Sequence, residues 1–122
     1  MLADNKLKAF IPTVNPDKSR IFYHTILGLD LVKEDGHGME FNAQGTILRV
    51  NFVRELTPHT FTVLGWTVKD ISSEIKELNK SGVICERYDF LVQDRLGIWI
   101  SPNGTKVAWF KDPDGNILSF DE

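Results

Sequence analysis

A single cysteine, Cys85, stands in a chain of 122 residues, and that scarcity excludes an internal disulfide. Cys85 lies in GVICERY, a stretch that reads as a strand and offers no neighbouring base. It is expected as a buried apolar thiol and not as a nucleophile. Long hydrophobic runs are also missing. None approaches the roughly 18 residues that would span a bilayer, and the opening MLADNKLK has no apolar core of the kind a signal peptide carries. A reduced, cytoplasmic setting with no membrane partner is the expectation. Positive charge is short as well, since 14 Lys and Arg against 17 Asp and Glu leave a formal charge of −3. With no basic cluster either, nucleic acid is not expected as a partner. Histidine occurs three times. His24 falls on a predicted helix, His37 between two glycines and His59 in a polar linker, so no pair has the spacing that converges on a metal ion.

What is present is one pattern that occurs twice. The first copy is the extended stretch KAFIPTV, then Asn15-Pro16-Asp17, the helical KSRIFYHTIL and Gly28. Asn15 is a good N-cap, Pro16 fits the first helical position and Gly28 the C-terminal cap. The second copy is FTVLGWTV, Lys69-Asp70, ISSEIKELNKS and Gly82, with Ile71, Ile75 and Leu78 on one helical face. Matching the caps Asn15 and Asp70 sets an offset of 55, whereas matching Thr13-Val14 to Thr67-Val68 sets 54, and a slip of one reverses a strand's faces. After each helix come strand signals. In the first copy they are LDLVKED, MEFNAQG and TILRVNFV; in the second, VICERYDF, IWIS, TKVAWF and NILSF. Both halves read as βαβββ, the second with one strand signal to spare. Module 1 spans about residues 6–54, a polar linker with Pro58 about 54–60, and module 2 about 60–122. Neither half alone carries comfortable apolar area, so a single pseudo-symmetric domain over residues 1–122 is expected.

Strand parity assigns faces. Asp112-Pro113-Asp114-Gly115 is read as a tight turn in which Asp112 pairs with Gly115. Phe110 then opposes Ile117, and Ala108 opposes Ser119. Lys106, Ala108, Phe110, Ile117 and Ser119 would share one face, leaving Val107, Trp109, Leu118 and Phe120 on the apolar one. In the first half, Glu40, Asn42, Ile47, Arg49 and Asn51 share a polar face, and Met39, Phe41, Leu48, Val50 and Phe52 a core face.

The stretches DKSRIFYHTILGLDL, VLGWTVKDISSEIKELNKSGV and AWFKDPDGNILSF resemble the vicinal oxygen chelate superfamily, which includes glyoxalase I, extradiol dioxygenases and bleomycin- and fosfomycin-resistance proteins. The resemblance implies an α+β fold of two βαβββ modules, whose curved, concave mixed sheet holds a ligand and carries its helices on the convex side. It also implies a homodimer. Metal-dependent members bind a divalent ion through His and Glu at the first and last strands of each module. The positions matching that quartet here are Lys8 (or Ala9), Arg49, Val63 and Ser119, and none is a credible ligand for a divalent ion. No metal, no cofactor and no catalytic residue is therefore expected.

The expected function is a metal-free small-molecule-binding protein of the glyoxalase/bleomycin-resistance type, holding an anionic or aromatic ligand in the concavity. The candidate ligand-binding residues are Arg49, Glu40, Asn51, Phe61, Trp99, Phe110 and Ser119. Arg49 presents a planar fork suited to a carboxylate or phosphate, with Glu40 as a diagonal neighbour that could hold it. The alternative for this pair is a solvated surface contact worth under ~1 kcal/mol. Trp99, Phe61 and Phe110 could line an apolar wall, although aromatics in a chain this size are more often core. The loop LVQDRLG is a candidate lid. The competing reading is a divalent-metal-dependent lyase, isomerase or dioxygenase with relocated or intersubunit ligands.

Overall fold

The computed structural model describes all 122 residues, which divide into two compact units, Met1–Thr57 and Pro58–Glu122. The first unit begins with a 3-10 turn at Leu2–Asp4. It continues through β1 (Lys8–Thr13), α1 (Pro16–Arg20), a π-helical Ile21–Ile26, β2 (Asp30–Glu34), β3 (Gly38–Ala43) and β4 (Thr46–Phe52). The four strands form one sheet in the order β1-β4-β3-β2. β1 runs parallel to β4, and the other pairs are antiparallel. Asn15 caps α1 by accepting from the Lys18 N–H at 3.2 Å. The helix then widens, with the Leu27 N–H reaching the Phe22 carbonyl five residues back at 2.8 Å. This segment turns Phe22 and Tyr23 inward, and the Tyr23 ring lies 5.9 Å from that of Phe41. Met39, Phe41, Leu48 and Val50 are buried with them, as the alternation predicts. Each such burial contributes about 1.5–3 kcal/mol.

The second unit contains β5 (Thr62–Thr67), α2 (Ile71–Lys80), β6 (Trp99–Ile100), β7 (Lys106–Lys111) and β8 (Ile117–Asp121). Its sheet order β5-β8-β7-β6 repeats that of the first, again with a parallel first pair. The fold is thus α+β with two βαβββ modules. Asp70 caps α2 through the Ser73 N–H at 3.1 Å. The Glu122 carboxylate takes the Ile71 N–H at 2.8 Å, a favourable place for negative charge at a helix N-terminus. That bond, with Lys106, holds the Glu122 carboxyl below its usual range. Ile71, Ile75 and Leu78 are buried.

Two expectations are corrected. The stretch VICERYDF forms no strand. Its one backbone hydrogen bond to the sheet is the Glu86 N–H on the Trp109 carbonyl at 2.7 Å. The Gln93 side chain satisfies the backbone there instead: its Oε1 accepts from Tyr88 N–H at 2.8 Å, and its Nε2 donates to the Glu86 and Gly97 carbonyls at 2.9 Å each. Cys85 is buried all the same, and burial pushes its thiol up to about 11.

The second correction is the final hairpin, whose faces on β7 are reversed. Asp112 pairs with Asn116, not with Gly115: the Asp112 N–H donates to the Asn116 carbonyl at 3.1 Å, and Asp112 Oδ1 accepts from the Asp114 and Asn116 N–H groups at 2.9 Å. The loop Pro113-Asp114-Gly115 thereby holds one more residue than the expected turn, with Gly115 at φ +86. Phe110 now opposes Leu118, and Trp109 opposes Ser119. Ala108 and Phe110 join Leu118 and Phe120 in the core. Trp109 and Val107 share the opposite face with Ser119.

Candidate ligand-binding site

The open face of the first sheet carries a closed network of charge. Glu40 and Arg49 are direct partners across β3 and β4, closer than the diagonal expected. Arg49 Nη1 donates to Glu40 Oε2 at 2.9 Å, Nε to Asn51 Oδ1 at 3.1 Å, and Nη2 to Asp35 Oδ1 at 3.2 Å. Lys8, at the start of β1, adds a second cation on Glu40 Oε2 at 3.0 Å. Asp35 is fixed in turn by the His37 and Gly38 N–H groups at 2.8 and 3.0 Å. The absence of a side chain at Gly38 makes room for Arg49, because a Cβ there would stand 3.1 Å from the guanidinium carbon and 2.7 Å from the Val50 carbonyl oxygen.

The electrostatics follow from those contacts. Lys8 first and then Arg49 hold the Glu40 carboxyl below its ordinary range. The His37 N–H and then Arg49 do the same for Asp35, and Asp35 and Glu40 together raise Arg49. The side chains of Arg49 and Glu40 are only 15 and 14% exposed. Two cations and two anions cancel, and three of the five guanidinium N–H donors are engaged within the unit. Glu40, Arg49 and Asn51 are therefore brought together. Asp35 and the pairing role of Lys8 were missed, and the Asp35-Gly36-His37-Gly38 turn, with Asp at the first position, was the available signal.

The second unit's open face is aromatic. Trp109 meets Tyr88 edge-on at 5.6 Å and Trp99 at 6.0 Å, while Tyr88 also meets Phe90 at 5.6 Å. A cleft of about 290 Å³ is lined by Phe61, Tyr88, Phe90, Leu91, Trp109 and Ile117. Phe61 is 59% exposed and stacks on His59 at 4.6 Å. Ser119 lies beside Trp109 on the same face and against Gly65 of β5, where a Cβ would come within 2.5 Å of its Oγ. Phe110 is the correction: it is fully buried, 4.8 Å from Phe120, and the one-residue register change puts Trp109 in the place expected for it. Tyr88, Phe90 and Trp109 were missed because the first two fall in an apparent strand and the third was assigned to the core.

The positions that resemble a metal quartet do not fit a divalent ion. Lys8 and Arg49 are cations tied to carboxylates, Val63 falls in a bulge between Thr62 and Leu64, and Ser119 offers a neutral hydroxyl. Asp121, the acid nearest to Ser119 on its face, accepts from Thr67 Oγ1 at 2.8 Å. Nowhere in the chain do three His, Cys, Asp or Glu side chains gather as an ion would need.

No protein-family model and no curated protein matches this sequence. Solved structures do match its fold. A bleomycin resistance determinant encoded on transposon Tn5 is 18% identical, with 97% of each chain covered and a TM-score of 0.76. A member of the glyoxalase/bleomycin resistance protein/dioxygenase superfamily from Sphaerobacter thermophilus is 22% identical, with 97% of this chain and 96% of that one covered and a TM-score of 0.75. Lactoylglutathione lyase from Agrobacterium tumefaciens is 16% identical over 97% of this chain and 92% of its own, with a TM-score of 0.74. At such identities the likeness is one of fold. The chain has the fold of the glyoxalase/bleomycin resistance/dioxygenase proteins, as its sequence resemblance implies.

Proposed function

We propose that this chain is a metal-independent small-molecule-binding protein that takes an aromatic ligand on the open face of its second unit. The observation that carries the reading is the cleft walled by Phe61, Tyr88, Phe90 and Trp109. An apolar recess with several aromatic walls favours a flat ligand through area burial and ring stacking, the latter adding about 0.5–1.5 kcal/mol per pair. Trp99 extends the wall, and Ser119 supplies a hydroxyl beside it. Arg49 supports the anionic half of the expectation less well, because Glu40 and Asp35 already neutralise it. Its two remaining N–H donors, with Glu40 and Asn51 alongside, make it a secondary polar surface. The two modules act as one domain, the protein works in the cytoplasm as a homodimer, and it needs neither metal nor catalytic residue.

Calorimetric titration with a panel of naphthalene- and quinoline-sized compounds tests this. Binding is expected in the micromolar range or tighter for at least one compound, weakened about tenfold by Trp109→Leu. A panel in which no compound binds, or in which no compound's binding is weakened by Trp109→Leu, overturns the reading.

A further inference from the structure

A second cleft of about 590 Å³ shares Phe90 with the first and is formed by residues 90–98 and β6. It is lined by Phe90, Val92, Asp94, Ile98, Trp99 and Ile100, together with Gln93. Its apolar walls are open to solvent, with Phe90 82% and Val92 90% exposed. Its polar chemistry is narrow. Gln93 spends its carbonyl on Tyr88 and both amide hydrogens on Glu86 and Gly97, so it clasps the two arms of the loop and has no donor left for a ligand. Asp94 Oδ1 accepts from the Leu96 and Ile98 N–H groups at 2.9 Å each, which leaves Oδ2 without a partner within the chain. Trp99 contributes an indole face and a donor at its edge. No cation lines the cleft: Arg87 reaches only the Gln93 backbone carbonyl, at 3.5 Å.

From these groups we infer that the cleft beside Trp99 selects a protonated organic amine with an aromatic body, its ammonium on Asp94 Oδ2 and its ring on Trp99 and Phe90. A carboxylate that is the lone charge on an apolar wall attracts a cation and repels an anion, and an indole face adds to the attraction of an ammonium. The backbone bonds to Oδ1 hold the carboxylate in place before the ligand arrives, so little ordering remains to oppose binding. The inference rests on the reading that aromatic side chains of this unit receive a ligand, and it adds a second cleft that selects for positive charge.

The test compares three isosteric probes by calorimetry: 1-naphthylmethylammonium, 1-naphthalenemethanol and 1-naphthoate. The ammonium is expected to bind about fivefold tighter than the alcohol, the range of a partly exposed ion pair, and the carboxylate more weakly than both. Asp94→Asn keeps an oxygen for the Leu96 and Ile98 N–H groups. It should abolish the preference for the ammonium over the alcohol, and Trp99→Leu should weaken both the ammonium and the alcohol. Naphthoate or the alcohol binding as well as the ammonium, or a preference that survives Asp94→Asn, overturns the amine inference and leaves the aromatic-ligand reading standing. Failure of all three probes overturns both.

Discussion

At the scale of single residues, the first unit's network depends on a side chain that is absent. Gly38 sits in extended backbone at the start of β3, and its value is space, since a methyl there would collide with the Val50 carbonyl and press on Arg49. Gly38→Ala is expected to lower stability by about 1–3 kcal/mol, as overpacking against backbone does. The neighbouring Gly36 faces nothing within 4 Å, so Gly36→Ala should change stability by less than about 0.5 kcal/mol. Urea unfolding of the two variants checks this, and equal effects would contradict the steric account. None of this was legible in the sequence. A Gly-His-Gly turn shows where the chain bends, but which atoms crowd the glycine depends on the strand laid beside it.

At the scale of elements, the strands and turns set the charges. β1 and β4 deliver Lys8 and Arg49 to Glu40 of β3, and the turn before β3 brings Asp35 to Arg49. Glu40 and Asp35 ionise below their ordinary values of 4.5 and 3.8, so the folded state favours their charged forms. Their contribution to stability is complete at neutral pH and is lost as pH falls through the ordinary values towards the lowered ones. Glu40→Gln should therefore be less stable than the native chain at pH 7, with a gap in urea midpoint that narrows between about pH 5 and pH 3. A gap independent of pH would show that the pair is inert. The alternation of β3 and β4 made Glu40 and Arg49 visible from the sequence, because an uninterrupted hairpin preserves parity. The last hairpin did not, since a three-residue loop and a two-residue turn can be written with the same Asp-Pro-Asp-Gly letters and differ by one in register.

At the scale of the whole molecule, two units of one topology carry opposite surface chemistry. The register places Arg49 opposite Phe10 and Ser119 opposite Gly65, an offset of 55 on the first strand of each unit, in agreement with the helix caps. Across the sheet, the place of Glu40 beside Arg49 is taken by Trp109 beside Ser119. One unit therefore presents ions and the other rings. Protein purified without chelator and then offered nickel, zinc, manganese and iron salts is expected to hold no stoichiometric ion and to show no rise in melting temperature. One ion held per chain would instead favour the metal-dependent enzyme. Light scattering is expected to give twice the chain mass of 13.9 kDa, and a monomer would remove the homodimer from the proposal.

The sequence by itself determined the first unit's order of elements and faces, the repeat and the helix caps. Each of these rests on local periodicity or on the dihedral preferences of Asn, Asp, Pro and Gly. Only the tertiary structure decided which carboxylates reach Arg49, that residues 83–90 bend around Gln93 instead of joining the sheet, and that Trp109 rather than Phe110 meets solvent. Those outcomes depend on how many residues a loop takes up and on which backbone groups a distant side chain satisfies, and neither is set by the residues nearby.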